Sequence, residues 1–268
     1  GKPLNEAPVW QRALIMAAGA CMNFLLGFVV MAIVLAAQNE PITSRVIYAV
    51  EDGALCGQTG LEAGDKVLAV NGRRCFVAND MLYELMRTED YSASFTVLRD
   101  GKKVELPRVQ FDTWQDEDGE THMSLGFTVY GIRKTPVNVI KEAWNSVLYY
   151  GRIIFTSLMD LLRGRESIND LSGPVGIVTA IGQAASYGWQ DLLELLALIT
   201  VNVGIFNLLP FPALDGGKVV FLFIEGVTGH AVPEKIQSGL TLAAFALLFA
   251  LMIFATYNDI VRLVTGAI

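Results

Sequence analysis

Histidine is nearly missing from this chain of 268 residues. His122 and His230 are the only two, and neither has a second histidine at i+4. A helix that offers two imidazoles to one metal needs that spacing, so the sequence supplies no such pair. Cysteine is scarce as well: Cys21, Cys56 and Cys75, with no Cys-x-x-Cys spacing. That argues against a thiolate metal cluster and leaves buried thiols, or a Cys56–Cys75 disulfide should that stretch lie outside the cytoplasm. Positive charge is in deficit, with 20 Lys and Arg against 27 Asp and Glu and a net charge of −7. Such a balance gives no basic surface for nucleic acid. The chain opens on Gly1 rather than Met, and Gly1 to Gln11 has neither a charged n-region nor a small-residue cleavage site. It therefore reads as a fragment whose natural start lies upstream, not as a chain with a signal peptide. No tandem repeat or low-complexity tract is visible.

Apolar residues are abundant and unevenly placed. They make up 53% of the chain, and the mean hydropathy is +0.44. That is too apolar for an ordinary soluble domain. Residues 43–135 hold 15 of the 27 acids and 11 of the 20 bases, so a soluble module is embedded in a membrane protein. Ala13 to Ala37 runs for 25 residues without a charge. About 20 apolar residues suffice to cross a bilayer as a helix, so a transmembrane helix is expected over 13–37. Gly19, Ala20 and Gly27 provide small faces for helix packing. Asn23 is the only strongly polar group in that span; it serves either a helix-to-helix hydrogen bond or a position near an active centre. Two further spans are expected over 192–211 and 239–257. The expected divisions are an N-terminal flank and helix over 1–42, the module over 43–131, a connecting region over 132–190, and the last two spans over 191–268.

Asp215 is the chemical anomaly. It follows an uncharged hydrophobic run, in Asn207-Leu208-Leu209-Pro210-Phe211-Pro212-Ala213-Leu214-Asp215-Gly216-Gly217. A carboxylate at membrane depth is expensive and marks a functional site by default. The prolines and glycines around it break the helix, which is tolerated there only in a protein-lined or wet setting. A metal, a proton or a substrate is the implied partner. Lys218, just beyond, either snorkels or neutralises nearby carboxylates.

The module reads as a small α+β unit. Val46, Tyr48 and Val50 alternate, as do Phe95 and Val97 and, past a turn at Asp100-Gly101, Val104 and Leu106; such alternation predicts strands. Asn79 to Arg87 predicts a short helix capped by Asn79. Asp118-Gly119 marks a second hairpin. Gly60-Leu61-Glu62-Ala63-Gly64-Asp65 leads into a strand that ends in Asn71-Gly72, and this pattern closely resembles a PDZ domain. Such domains bind extended peptides by adding a strand to a sheet edge. The usual carboxylate-binding loop is missing upstream of Val46, while Ser124-Leu125-Gly126-Phe127 resembles one at the other end. That placement implies a circularly permuted domain, with Leu125 to Val129 as the peptide-accepting edge or a plain closing strand.

Pro136 to Leu162 keeps a helical period, but Lys141, Glu142, Asn145, Arg152 and Asp160 interrupt any apolar run. An amphipathic helix in the membrane interface fits this pattern, and a helix packed on the module is the alternative. Ser167 to Gly188 reads as a Gly/Ser/Ala-rich connector broken at Gly173-Pro174.

The Asn-x-x-Pro-x-Pro-x-Leu-Asp-Gly run from Asn207 to Gly216 resembles the second conserved motif of the site-2 protease family of intramembrane zinc metalloproteases. Pro8-Val9-Trp10-Gln11-Arg12, the Gly19 to Leu26 stretch with Met22-Asn23-Phe24, and Leu171-Ser172-Gly173-Pro174-Val175-Gly176 extend the resemblance. With the single PDZ insertion, it is most like the bacterial regulator-of-sigma type, which cleaves membrane-anchored anti-sigma factors. The resemblance implies zinc as cofactor, Asp215 as its third ligand, and Asn207, Pro210 and Pro212 at the substrate strand. In the family the other two ligands are the histidines of H-E-x-x-H, whose glutamate is the general base. That motif lies on a transmembrane helix preceding the Pro8-to-Arg12 region and is absent here. The expectation is thus a fourth span upstream, one metal ligand of three in this chain, and no activity from the chain alone.

The partners implied are a transmembrane protein substrate, the lipid bilayer and a peptide at the PDZ groove. Lys2, Arg12, Lys218 and Lys235 place one set of flanks on the cytoplasmic side by the positive-inside rule. The module then lies outside, in a multi-pass protein of the bacterial inner membrane. The competing reading is a non-catalytic membrane adaptor that binds peptide tails. An ion-coupled transporter using Asp215 is weaker, since three spans without internal repetition are few for that task.

Overall fold

A computed structural model describes residues 7–88, 90–116, 119–165, 167 and 172–265. Gly1, Lys2, Asp118 and Leu171, all used in the sequence reading, lie outside the described residues. The chain forms two compact units: Leu35–Tyr149, and the described residues up to Val34 together with those from Tyr150 onward.

The first of these units is built on an antiparallel sheet. Its strands are β1 (Ile42–Val50), β2 (Lys66–Val70), β3 (Arg73–Arg74), β4 (Ser92–Arg99), β5 (Lys102–Gln110) and β8 (Phe127–Ile132). Their order is β5-β4-β2-β1-β8, with β3 beside β2. β6 (Asp112–Gln115) and β7 (Thr121–Ser124) pair only with each other, as a hairpin inserted before β8. Two short helices, α2 (Leu55–Gln58) and α3 (Ala78–Met86), complete the unit. Ile47, Leu61, Val67, Val70, Phe95, Val97 and Val109 are fully buried between the sheet and these helices.

Burial in β1 does not follow a strict alternation. Ile47 is buried, whereas Tyr48 is exposed and stacks edge-on against Tyr130 with centroids 4.8 Å apart. Two register shifts against β8 break the simple period of β1, so alternating apolar residues do not identify its inner face. The helix cap also differs. α3 begins before Asn79, and Asp80 satisfies its start by accepting from the Phe76 and Val77 amides, the latter at 3.0 Å. Asp65 closes the glycine turn that precedes β2. It accepts the Glu62 amide at 3.0 Å, and Arg99 grips both its oxygens at 2.7 Å. Cys56 and Cys75 are buried, and no disulfide joins them. Burial pushes the Cys56 thiol above its ordinary value.

The second unit is helical. Three helices are long and apolar enough to cross a membrane: α1 (Val9–Ala37), α6 (Trp189–Leu208) and α8 (Glu234–Thr265). α4 (Pro136–Leu162) contributes residues to both units. Val137, Ile140, Trp144 and Phe155 are exposed along α4, while Ala143, Val147 and Asp160 are buried. Its charges are therefore not all turned outward. α5 (Pro174–Tyr187) occupies most of what read as a connector, and α7 (Asp215–Thr228) fills much of the expected loop between the last two spans.

Small residues set the helix spacing. A Cβ at Gly27 of α1 would meet Val201 Cγ2 at 2.7 Å, and one at Gly204 of α6 would meet Asn23 Cβ at 3.2 Å. The two helices therefore cross antiparallel, with backbone close to backbone. α5 is held by a side chain from α8. Asp259, 1% exposed, accepts the Gly173 amide at 3.1 Å and the Gly176 amide at 2.8 Å. A Cβ at Gly173 would lie 2.8 Å from Asp259 Oδ2 and from the α8 backbone, so the Gly-Pro-Val-Gly run admits this carboxylate because it lacks side chains there.

Candidate metal-ligand site and peptide groove

α6 ends because Pro210 and Pro212 follow it. Leu209, the residue before the first proline, adopts φ −62° and ψ 144°, the extended geometry that proline imposes on its predecessor. The next residues fold into a tight turn, with Phe211 donating to the Leu209 carbonyl at 2.7 Å and Leu214 to the Phe211 carbonyl at 2.9 Å. α7 then starts at Asp215, directly against that turn. A Cβ at Gly216 would sit 2.2 Å from the Leu209 carbonyl oxygen, and one at Gly217 would sit 2.4 Å from that of Phe211. No side chain fits at either position. The glycine pair is thus a packing requirement that lets the first turn of α7 lie on the proline turn.

Asp215 does not lie in a broken stretch of one helix, as its flanks suggested. It occupies the first position of a new helix, where the helix dipole favours a carboxylate. Its side chain is 39% exposed, and Lys218, one turn on, places Nζ 3.6 Å from Oδ1. α1 presents bare backbone to it: a Cβ at Gly19 would lie 3.7 Å from Asp215 Oδ2. Asn23 follows one turn later on α1 and packs its Cβ at Gly204 of α6. Asn207 is half-buried in the last turn of α6. Pro210 and Pro212 lie in the turn that supports Asp215, and the Pro212 carbonyl accepts Thr241 Oγ1 at 3.1 Å.

Asp215 is a hard oxygen donor without companions. Among the described residues, no three His, Cys, Asp or Glu side chains gather as a metal-ligand set. His230 follows α7 at its other end, about 20 Å along the helix from Asp215. It binds the Thr228 carbonyl at 3.0 Å. His122 belongs to the β6–β7 hairpin, where it pairs with Asp116 at 2.6 Å and stacks on Trp114. The residues present fit one ligand position and do not complete a site.

Three polar features of the helical unit escaped the sequence reading. Asp259, just past the last expected span, is buried as the cap of α5. Arg12, expected as a flanking charge, forms an ion pair with Glu225 of α7. Asn202 Oδ1 is buried on α6 without a partner among the described residues. Asn202 offered a signal of its own, as an amide within an apolar run; the other two depend on helices distant in sequence.

The sheet unit carries a separate groove of about 390 Å³. Leu82, Leu85 and Met86 of α3 form one wall; His122, Met123 and Leu125 form the other. Gly126 has φ +62° and its Cβ would lie 2.8 Å from Ala54 Cβ. Leu125 faces the groove, but the Phe127 side chain is 8% exposed and belongs to the core. Of that run, only Leu125 offers the groove a side chain. β8 is an edge strand, paired with β1 on one side.

The model of peptidase family M50 matches residues 2–251. This chain belongs to peptidase family M50. That is the family of the site-2 proteases, as the motifs around Asp215 implied. The M50 chain is 31% identical over 262 residues to the regulator of sigma-W protease RasP of Bacillus subtilis, covering 98% of this chain and 62% of that protein. It is 35% identical over 252 residues to the zinc metalloprotease RasP of Geobacillus kaustophilus, covering 93% and 59%. A third similar protein, the zinc metalloprotease RasP of Bacillus licheniformis, is 32% identical over 263 residues, covering 98% and 62%. The chain thus spans about three fifths of the length of these relatives. With its three apolar helices, the M50 chain is a multi-pass membrane protein.

Replacing Gly216 by alanine should lower stability by about 2–3 kcal/mol, since the added methyl meets backbone that cannot yield. Lys218→Ala, at an exposed side chain, should stay within about 0.5 kcal/mol. Thermal unfolding of both variants in detergent checks this, and an unchanged Gly216→Ala melting temperature contradicts the packing argument.

Proposed function

We propose that this chain is part of an intramembrane zinc metalloendopeptidase that cleaves transmembrane proteins, such as membrane-anchored anti-sigma factors. The observation that carries the reading is the placement of Asp215. It sits at a helix start, on a turn that excludes side chains, and it faces the bare backbone of α1. That arrangement suits one oxygen ligand of a catalytic zinc, which takes three protein ligands and leaves a fourth position open. Bound zinc supplies a Lewis acid and an activated water. Asp215 is the one donor assigned to the metal among the described residues, and this reading takes the histidine pair from elsewhere in the complete protein. In this reading the chain alone neither holds zinc tightly nor cuts peptide bonds. Asn207 and the Pro210–Pro212 turn lie just before Asp215 and would line an extended substrate segment, with Asn23 as a neighbour across α1.

The sheet unit acts in this reading as a circularly permuted PDZ domain. An incoming peptide adds to the free edge of β8 and places an apolar side chain between Leu125 and α3. The exposed Val137, Ile140 and Trp144 support a position for α4 at the membrane interface. Arg12, Lys218 and the loop before α8 line one cleft, so the cationic flanks share an end of the helical unit. The positive-inside rule makes that end cytoplasmic, with the sheet unit outside a bacterial inner membrane. The second reading is a non-catalytic adaptor that binds peptide tails. The groove beside β8 and the lack of a ligand set among the described residues favour it.

In the full-length gene product, Asp215→Asn should lower zinc retention and cleavage of a transmembrane substrate by more than about 100-fold. Metal analysis beside a cleavage assay checks this, and undiminished proteolysis refutes the ligand assignment. Gly126→Trp should abolish binding of an extended peptide with an apolar C-terminal residue, measured by titration of the chain. Unchanged affinity removes the groove assignment and leaves the zinc assignment untouched.

A further inference from the structure

Arg12 lies at the start of α1 and Glu225 in the last turns of α7, and the two form an ion pair. Both are largely buried, with side chains 16% and 22% exposed. The pair lines a cleft of about 520 Å³ together with Met16, Lys218, Phe221 and Val232. Two other contacts define how the helices meet. Val9 Cγ1 lies 3.6 Å from the place a Cβ on Gly226 would take, and Gly19 faces Asp215 at the opposite end. The first turns of α1 thus run antiparallel to α7, over the length that ends at Asp215.

A buried ion pair is a poor source of net stability, because desolvation of the two charges offsets their attraction. Its best-attested use is to select one register among several that packing alone leaves close in energy. The seam here has the character that needs such selection. At both ends a glycine meets a side chain, and the Arg12–Glu225 ion pair is the polar contact between them. A slip of one helical turn is about 5.4 Å. It would remove the bare Gly19 backbone from Asp215 and bring a side chain against the carboxylate.

We infer that the Arg12–Glu225 pair is a register lock that sets α1 against α7 and thereby positions Asp215. Arg12 is a positioning residue, acting through the helix seam and not on any substrate. The consequence for catalysis rests on the reading of Asp215 as a zinc ligand, but the lock itself is measured without metal or cleavage.

The test places cysteines at Val9 and Gly226 (V9C and G226C) in the full chain, with Cys21→Ala to remove the exposed thiol. A Cβ on Gly226 would lie 3.6 Å from Val9 Cγ1, so the two positions meet in the native register. Oxidation with copper phenanthroline in detergent reports the register as a crosslinking rate. The parent pair should crosslink quickly. Adding R12M and E225M together should leave the chain helical and monodisperse, yet slow the crosslink about tenfold or more. The charge swap, R12E with E225R, should restore the rate to within about twofold of the parent. A double Met chain that crosslinks as fast as the parent overturns the lock. So does a folded swap chain that stays slow. A double Met chain that fails to fold assigns the pair to stability and overturns the proposal equally. Zinc retention that falls in Asp215→Asn while the lock fails this test separates the two claims.

Discussion

Everything in the helical unit that bears on chemistry depends on one close approach of backbone to backbone. The first turn of α7 rests on the Leu209–Leu214 turn, and only the hydrogen atoms of Gly216 and Gly217 fit between them. The prolines end α6 and shape the turn; the glycines let the next helix begin immediately against it. The seat of Asp215 on that turn is therefore set by sterics. Its carboxylate gains from the helix start, and Lys218 stands one turn away.

Two polar contacts of this unit join different helices. Asp259 of α8 takes two amides at the start of α5, and Arg12 of α1 takes Glu225 of α7. In an apolar environment an unmatched charge is costly, so such pairs constrain which helices can be neighbours. Glycines at Gly173, Gly27 and Gly204 supply the room. Asn202 departs from this pattern, its carbonyl oxygen buried without a partner among the described residues.

The sequence displayed the parts that depend on local composition. The three expected spans fall largely on the three helices long enough to cross a membrane, and Asp215 declared itself as an acid beside broken backbone. Features made by distant residues were not legible. α7 was hidden because its glycine pair and its charges read as loop, yet those glycines serve the packing at its start. α5 was hidden by the same composition bias, since Gly173 and Gly176 exist to admit Asp259. The buried face of β1 was not legible because register shifts break the period that reveals it. Asn79 drew attention as a cap, although Asp80 does that work from inside the helix. Phe127 drew attention as a groove residue, although the core claims its ring.

The central claim is that position 215 faces a zinc ion in the complete protein. X-ray absorption at the zinc edge tests it most directly, on full-length protein carrying Asp215→Cys. A thiolate in place of the carboxylate should add a sulfur scatterer at about 2.3 Å from the metal. Zinc retained with only nitrogen and oxygen neighbours would contradict the account, because the side chain at 215 would then not reach the ion.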